Sequence, residues 1–415
     1  MRTLGDGQDR FGPGPVSSEA AASPARGLSR RSLLTLFGAA AVAGCSAGSD
    51  TAGKPPSSRS PSPSATVPSG SADKSLIWSN WPNYIDVRKK APQHPTLAAF
   101  TAQTGVKVDY REVIEDNASY VATIDTDLHE HRPVGTDLMV LTSWMSARLV
   151  RDREVQQLDR PLMPTAAKNV IGALANPSWD PGRRYSMPWQ AGLTGIAYDA
   201  TKVDRAIGSF TELLTRKDLA GRVSLLTEAN DTIGAAALAG GADLTDLTVA
   251  DVDKALDLIQ SSQDSGQVSH FYGNEFIKAL KSGTIAACLA WSGDVLQAQL
   301  TNPNIKFVAP EEGLLIWSDD FLVPTASVHG TQAAHLINWF YQPEVAAKVA
   351  AWVNYICPVA GAQEEMMKID PDLALSPLIF PDSSTLDRSF QFPVLPKDDD
   401  SRVRASFADI VEQSA

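Results

Sequence analysis

The chain has 415 residues, with 36 Lys and Arg against 48 Asp and Glu and a formal charge of −12. That balance argues against a nucleic-acid partner, which needs basic stripes. It agrees with a cationic ligand, or simply with an acidic soluble surface.

In chain order the first element is an export signal. Arg30-Arg31 stand before the short apolar stretch Ser32 to Gly44, and small residues lead to Cys45, the pattern of a leader (1–44) that is cleaved and replaced by lipid. Ser29-Arg30-Arg31-Ser32-Leu33-Leu34 looks like a twin-arginine signal, a reading preferred here to an ordinary secretory leader. The apolar stretch falls well short of the roughly 20 residues that span hydrocarbon, and no later segment is long and apolar enough. The mature chain is expected outside the cytoplasm, in a periplasm or on the outer face of the plasma membrane, held by lipid at Cys45. Without residues 1–44 it carries 31 basic and 45 acidic residues, a charge of −14.

Residues 45–74 are mostly Ser, Pro, Gly, Ala and Thr and have little to bury, so they read as a lipidated, disordered tether. About 340 residues remain, enough for two lobes with their own cores. Ordered structure is expected from the strand Ser75 to Asn80, followed by a helix over Pro95 to Thr104 stopped by Gly105, and the strand Val106 to Tyr110. A helix over Ala118 to Leu128, the strand Asp137 to Leu141 and a helix from Ser143 repeat the unit. Val223 to Leu226 reads as a strand before a helix from Asp231, and Thr284 to Ala290 and Ile305 to Val308 as further strands. Helices are expected near His335 to Phe340 and Glu344 to Val353, and Asp398-Asp399-Asp400 as a solvated turn. Such alternation predicts an α/β fold of mostly parallel sheets covered by helices. Cys288 and Cys357 lie in separate apolar runs and read as two buried thiols, although a disulfide between them is conceivable outside the cell.

The motifs of enzymes are missing. Gly44-Cys45-Ser46-Ala47-Gly48 fits G-x-S-x-G but straddles the leader junction, with no strand before it. There is no Walker loop, no G-x-G-x-x-G after a strand and no H-E-x-x-H, and His129-Glu130-His131 reads as an exposed loop without a third ligand. No cofactor and no metal are expected.

The tryptophans are more informative. Trp81, Trp144, Trp291 and Trp317 each fall at or just beyond the carboxyl end of a predicted strand, where open α/β sheets bind ligands. Any one of them alone would be a core cap, but four in one topological place suggest a lined cleft. Asp319, with Glu228 and Asp231 after another strand, adds carboxylates. Aromatic faces contribute about 0.5–2 kcal/mol per cation–π contact and carboxylates fix ammonium groups, so the set suits an organic cation.

From Trp78-Ser79-Asn80-Trp81-Pro82-Asn83-Tyr84 onward the chain resembles the spermidine/putrescine-binding proteins of ABC importers. The likeness runs through Phe100 to Val108, Asp137 to Val140, Tyr185 to Pro188, Gly195 to Tyr198, Leu225 to Glu228, Ala290 to Gly293, Trp317 to Asp319, Val323-Pro324 and Tyr341 to Ala346. Asn-Trp-x-x-Tyr together with Trp-x-Asp is its most specific pair. The resemblance implies a two-lobe type II periplasmic-binding-protein fold, with 75–194 plus 319–362 as one lobe and 195–318 plus 363–415 as the other. The chain would cross between them near 193–196, 318–321 and 358–364. It also implies a membrane permease and an ATPase as partners.

Matched by motif, Tyr84, Thr142, Trp144, Trp291, Trp317, Asp319 and Tyr355 correspond to positions lining the family's polyamine site, with Gln391 as a further match near the C-terminus. Asp319 would hold one ammonium, Trp291 and Trp317 would flank the aliphatic chain, and Tyr84 and Trp144 would close the other side. Where the family has an acidic pair, the alignment places Ala229 and Thr232, with Glu228 and Asp231 alongside, so putrescine, spermidine and an altered amine all stay open. The other readings are a same-fold binding protein for a zwitterionic amine or an anion, and an exported enzyme.

Overall fold

The computed structural model describes residues 73–414 apart from Lys89 and Pro92. The leader, Cys45 and nearly all of the tether lie outside the described residues. The expected first helix forms as Pro95–Thr104, with proline in its first turn, where no amide hydrogen is needed, and Gly105 at φ 75° donating back to the Thr101 carbonyl. The helix Asn117–His129 is capped by Asp116, whose side chain accepts from the Ser119 amide.

Among the described residues ten strands form one mixed sheet: β1 Ser75–Asn80, β2 Lys107–Glu112, β3 Leu138–Thr142, β4 Ser186–Asp199, β5 Val223–Leu226, β6 Val268–Tyr272, β7 Ala287–Trp291, β8 Ile305–Val308, β9 Leu314–Leu322 and β10 Ser389–Phe390. The order is β2-β1-β3-β9-β4-β7-β5-β6, with β10 beside β9 and β8 beside β4. The outer pairs β1–β2, β1–β3, β5–β6 and β5–β7 are parallel, as strand and helix alternation predicts. The centre is antiparallel, because β9 pairs β3 and β4, and β4 also pairs β7.

All residues of β4 are buried, so it lacks the alternation that marks a strand open to water on one face. It also contains Pro188, at a register shift between Pro188 and Gln190, and Gly192 and Gly195. These features hid the strand in the sequence.

Two large cores flank this centre. One gathers Leu76, Trp78, Phe100, Val140, Phe321 and Phe340, and later Met366, Ala374 and Ile379. The other gathers Ile196, Leu225, Ile233, Leu256, Phe276 and Leu289, with Val403, Phe407 and Ile410 from the C-terminal helix Lys397–Glu412. Strands β4 and β9 contribute to both. Asp398–Asp400 are not a solvated turn but the first turn of that last helix, where the exposed amide hydrogens favour negative charge. Cys288 and Cys357 are free thiols, one in each core.

Candidate ligand-binding site

The register of the central strands sets the site. Thr142 of β3 is the direct partner of Asp319 of β9, Gly192 of β4 faces Trp317 of β9, and Thr194 of β4 faces Trp291 of β7. Trp317 and Asp319 are two apart and share one sheet face. The Trp317 ring lies over Gly192, where a Cβ would come within 2.3 Å of the ring, so glycine is required there.

Three carboxylates converge. Asp319 accepts from Tyr84 Oη at 2.6 Å and from Thr142 Oγ1 at 2.7 Å, and Asn117 Nδ2 donates to the same threonine hydroxyl at 2.9 Å. Asp231 accepts from Thr194 Oγ1 and from Trp291 Nε1, both at 2.8 Å. Asp294, in the first turn of the helix Ser292–Gln299, accepts from Tyr355 Oη at 2.9 Å. Rings join the three: Tyr355 meets Trp317 edge-on at 5.4 Å and Tyr84 at 6.0 Å, and Trp317 Nε1 donates to Thr194 Oγ1 at 3.0 Å. A Cβ at Gly293 would strike the Tyr355 ring at 2.7 Å, so this glycine lets the ring lie against the helix start.

None of these carboxylates is paired with Lys or Arg among the described residues. Burial pushes the Asp319 carboxyl up to about 7, against the hydrogen bonds of Tyr84 and Thr142. Asp231 is pushed up to about 6 by burial, against Trp291 and Thr194, and Asp294 to about 6 by burial, against Tyr355. Glu228, just before the helix Ala229–Ala239, rises to about 8 through burial and then the charge of Asp231, while Arg404 pulls it down. Each of these oxygens keeps lone pairs for a further donor. Chemically, the arrangement is a cluster of acids set among aromatic rings, with no Lys or Arg among the described residues paired to them.

The sequence model of the bacterial extracellular solute-binding protein family matches residues 96–375. The chain belongs to that family.

Among curated members of this kind, a putrescine/agmatine-binding protein of Pseudomonas aeruginosa is 26% identical over 345 residues, covering 78% of this chain and 88% of its own length. The spermidine/putrescine-binding periplasmic protein of Escherichia coli is 23% identical, covering 76% of this chain and 85% of its own. A solved spermidine/putrescine ABC transporter substrate-binding protein from Streptococcus pneumoniae, 22% identical, shares the fold with a TM-score of 0.69, covering 83% of this chain and all of that one.

Within this solute-binding fold the expected residues divide. Tyr84, Thr142, Asp231, Trp291, Trp317, Asp319 and Tyr355 form one bonded cluster. Trp81 lies beside it in sequence, but its indole nitrogen donates to the Val140 carbonyl at 3.0 Å. Trp144 carries the guanidinium of Arg404 on its ring. Gln391 lines a cavity of about 490 Å³ with Asn176, Ser178, Ile316 and Asp387, and Ile316 alternates with Trp317 onto the opposite sheet face.

Trp317 sits inside β9 rather than at its end, because an antiparallel strand runs on past the place where parallel strands stop. At the expected acidic pair, Thr232 Oγ1 donates to the Leu226 carbonyl, and Asp231 is the residue that reaches the cluster. Asp294, Thr194 and Asn117 were not foreseen. A signal existed for Asp294 alone, an acid three residues after a strand-end tryptophan.

His129 lies 3.7 Å from Glu154 and is largely exposed. No group of three metal-ligating side chains comes together among the described residues.

Proposed function

We propose that this chain is the solute-binding component of an ABC importer and takes a polyamine of the putrescine or spermidine class between its two cores. One observation carries the reading: buried Asp231 and Asp319 and half-buried Asp294 gather among Trp291, Trp317, Tyr84 and Tyr355, and no Lys or Arg among the described residues pairs with them. Alkylammonium groups supply the charge those acids lack, and methylenes lie against the rings. The names of the relatives support the same class of ligand. An anion would meet three like charges and no arginine within the cluster.

In this reading Asp319 takes one ammonium, Asp231 and Asp294 the other, and Trp291 and Trp317 flank the carbon chain. Ligand acts by population shift, favouring a form in which both halves touch it. We place the lobe crossings at 193–196 in β4 and 318–321 in β9, and move the third from 358–364 to after Ile379, because Met366, Ala374 and Ile379 still pack in the first core. The protein performs no chemistry of its own, hands its ligand to a permease driven by an ATPase, and is anchored at Cys45 after twin-arginine export. A Cys45→Ala chain is then expected in the soluble fraction, and continued membrane retention would remove the anchor.

Titration calorimetry with putrescine, spermidine and phosphate tests the reading. Heat with either amine and none with phosphate is expected. Phosphate binding with silent amines would overturn it.

A further inference from the structure

Arg404 lies on the ring of Trp144, two residues beyond Thr142 of the cluster. It projects from the helix Lys397–Glu412, anchored in the second core by Val403 and Phe407. Its guanidinium carbon lies 3.8 Å from the ring centroid of Trp144, which is on the helix Ser143–Arg151, whose Met145 and Leu149 pack with Leu141 of β3. Nη2 donates to Asn230 Oδ1 at 3.1 Å and Nε to Asp400 Oδ1 at 3.0 Å, so the rim of the planar group is held while its face covers the indole.

The surroundings tie this contact to the carboxylates. Asn230 lies between Glu228 and Asp231 in sequence, and Thr142, two residues before Trp144, bonds Asp319. Trp144 and Glu228 are the ring and the acid next along the chain from Thr142 and Asp231, and Arg404 lies on the one and acts electrostatically on the other. In this chain an arginine of the protein already faces them.

We propose that Arg404 is a specificity-determining residue that closes the Trp144 and Glu228 end of the site, so that a short diamine is accepted and a longer triamine is turned away. The proposal rests on the amine reading above. In the proposed mode a diamine bridges Asp319 and the Asp231 and Asp294 pair and leaves the Arg404 end unused. A third ammonium extended toward Trp144 meets a like charge and a ring face already covered.

Calorimetry with putrescine and spermidine on the wild type, Arg404→Ala and Arg404→Gln decides it, the glutamine variant keeping an amide donor for Asn230. The wild type should prefer putrescine, and both variants should gain about tenfold or more in spermidine affinity while putrescine changes less than about threefold. An unchanged spermidine-to-putrescine ratio, or a wild type that prefers spermidine, overturns the proposal and leaves the amine reading standing. Silence of all three proteins toward both amines overturns the amine reading and this proposal with it. A wild type that prefers 4-aminobutyrate and loses it in Arg404→Gln also overturns the proposal, because the guanidinium would then be reading a carboxylate.

Discussion

Asp319 is held by two hydroxyls on two different elements, Tyr84 after β1 and Thr142 at the end of β3, so its orientation is fixed before any ligand arrives. Replacing it with asparagine keeps the shape and removes the charge. Asp319→Asn should weaken amine binding by about 1.5–3 kcal/mol, the worth of a charged hydrogen bond, as read by calorimetry. Unchanged affinity would take Asp319 out of the site. Gly192 acts through space alone: a methyl there drives into the Trp317 ring, and Trp317 cannot move without disturbing Thr194 and Tyr355. Gly192→Ala should cost about 1–3 kcal/mol of folding stability and lower amine affinity as well. Thermal unfolding and a binding isotherm that both match the wild type would show that the ring has room to shift.

The elements that matter most are the two crossing strands, which belong to both cores. On the face of β9 opposite Asp319, Asp320 accepts from Arg183 Nη1 at 2.8 Å, and both side chains are almost fully buried. The same arginine nitrogen donates to Ser186 Oγ at the start of β4. This pair pins β4 to β9 directly behind the site. Arg183→Met leaves Asp320 buried without its partner and should cost about 3–5 kcal/mol in urea unfolding. A loss below about 1 kcal/mol would mean that Ser318 suffices to hold the carboxylate.

For the whole molecule, the clustered acids couple stability to pH. Asp319, Asp231, Asp294 and Glu228 hold their protons more tightly folded than unfolded, since burial lifts them to about 7, 6, 6 and 8. The native state therefore binds more protons. This contribution is complete below the ordinary carboxylate range and is lost as pH rises through the folded values. A bound polyamine favours the ionised acids and reverses the trend. The rise in melting temperature with putrescine should accordingly be larger near about pH 8 than near about pH 5 in thermal shift measurements. An equal rise at both would disconnect these carboxyls from the ligand.

Local signals were enough to place β1, β2, β3, β5 and β7, the helix Pro95–Thr104 with its glycine stop, and the tryptophans and acid of the cluster, because half-buried periodicity, capping chemistry and residue type are written in short stretches of chain. They could not place β4, whose burial on both faces erases alternation, nor bring Thr194, Asn117 and Asp294 to their partners, since those contacts join strands and helices far apart in sequence. Arg404 is the clearest case. Nothing around it in the chain distinguishes it from a surface arginine, and only the packing of the last helix against the second core carries its guanidinium to Trp144.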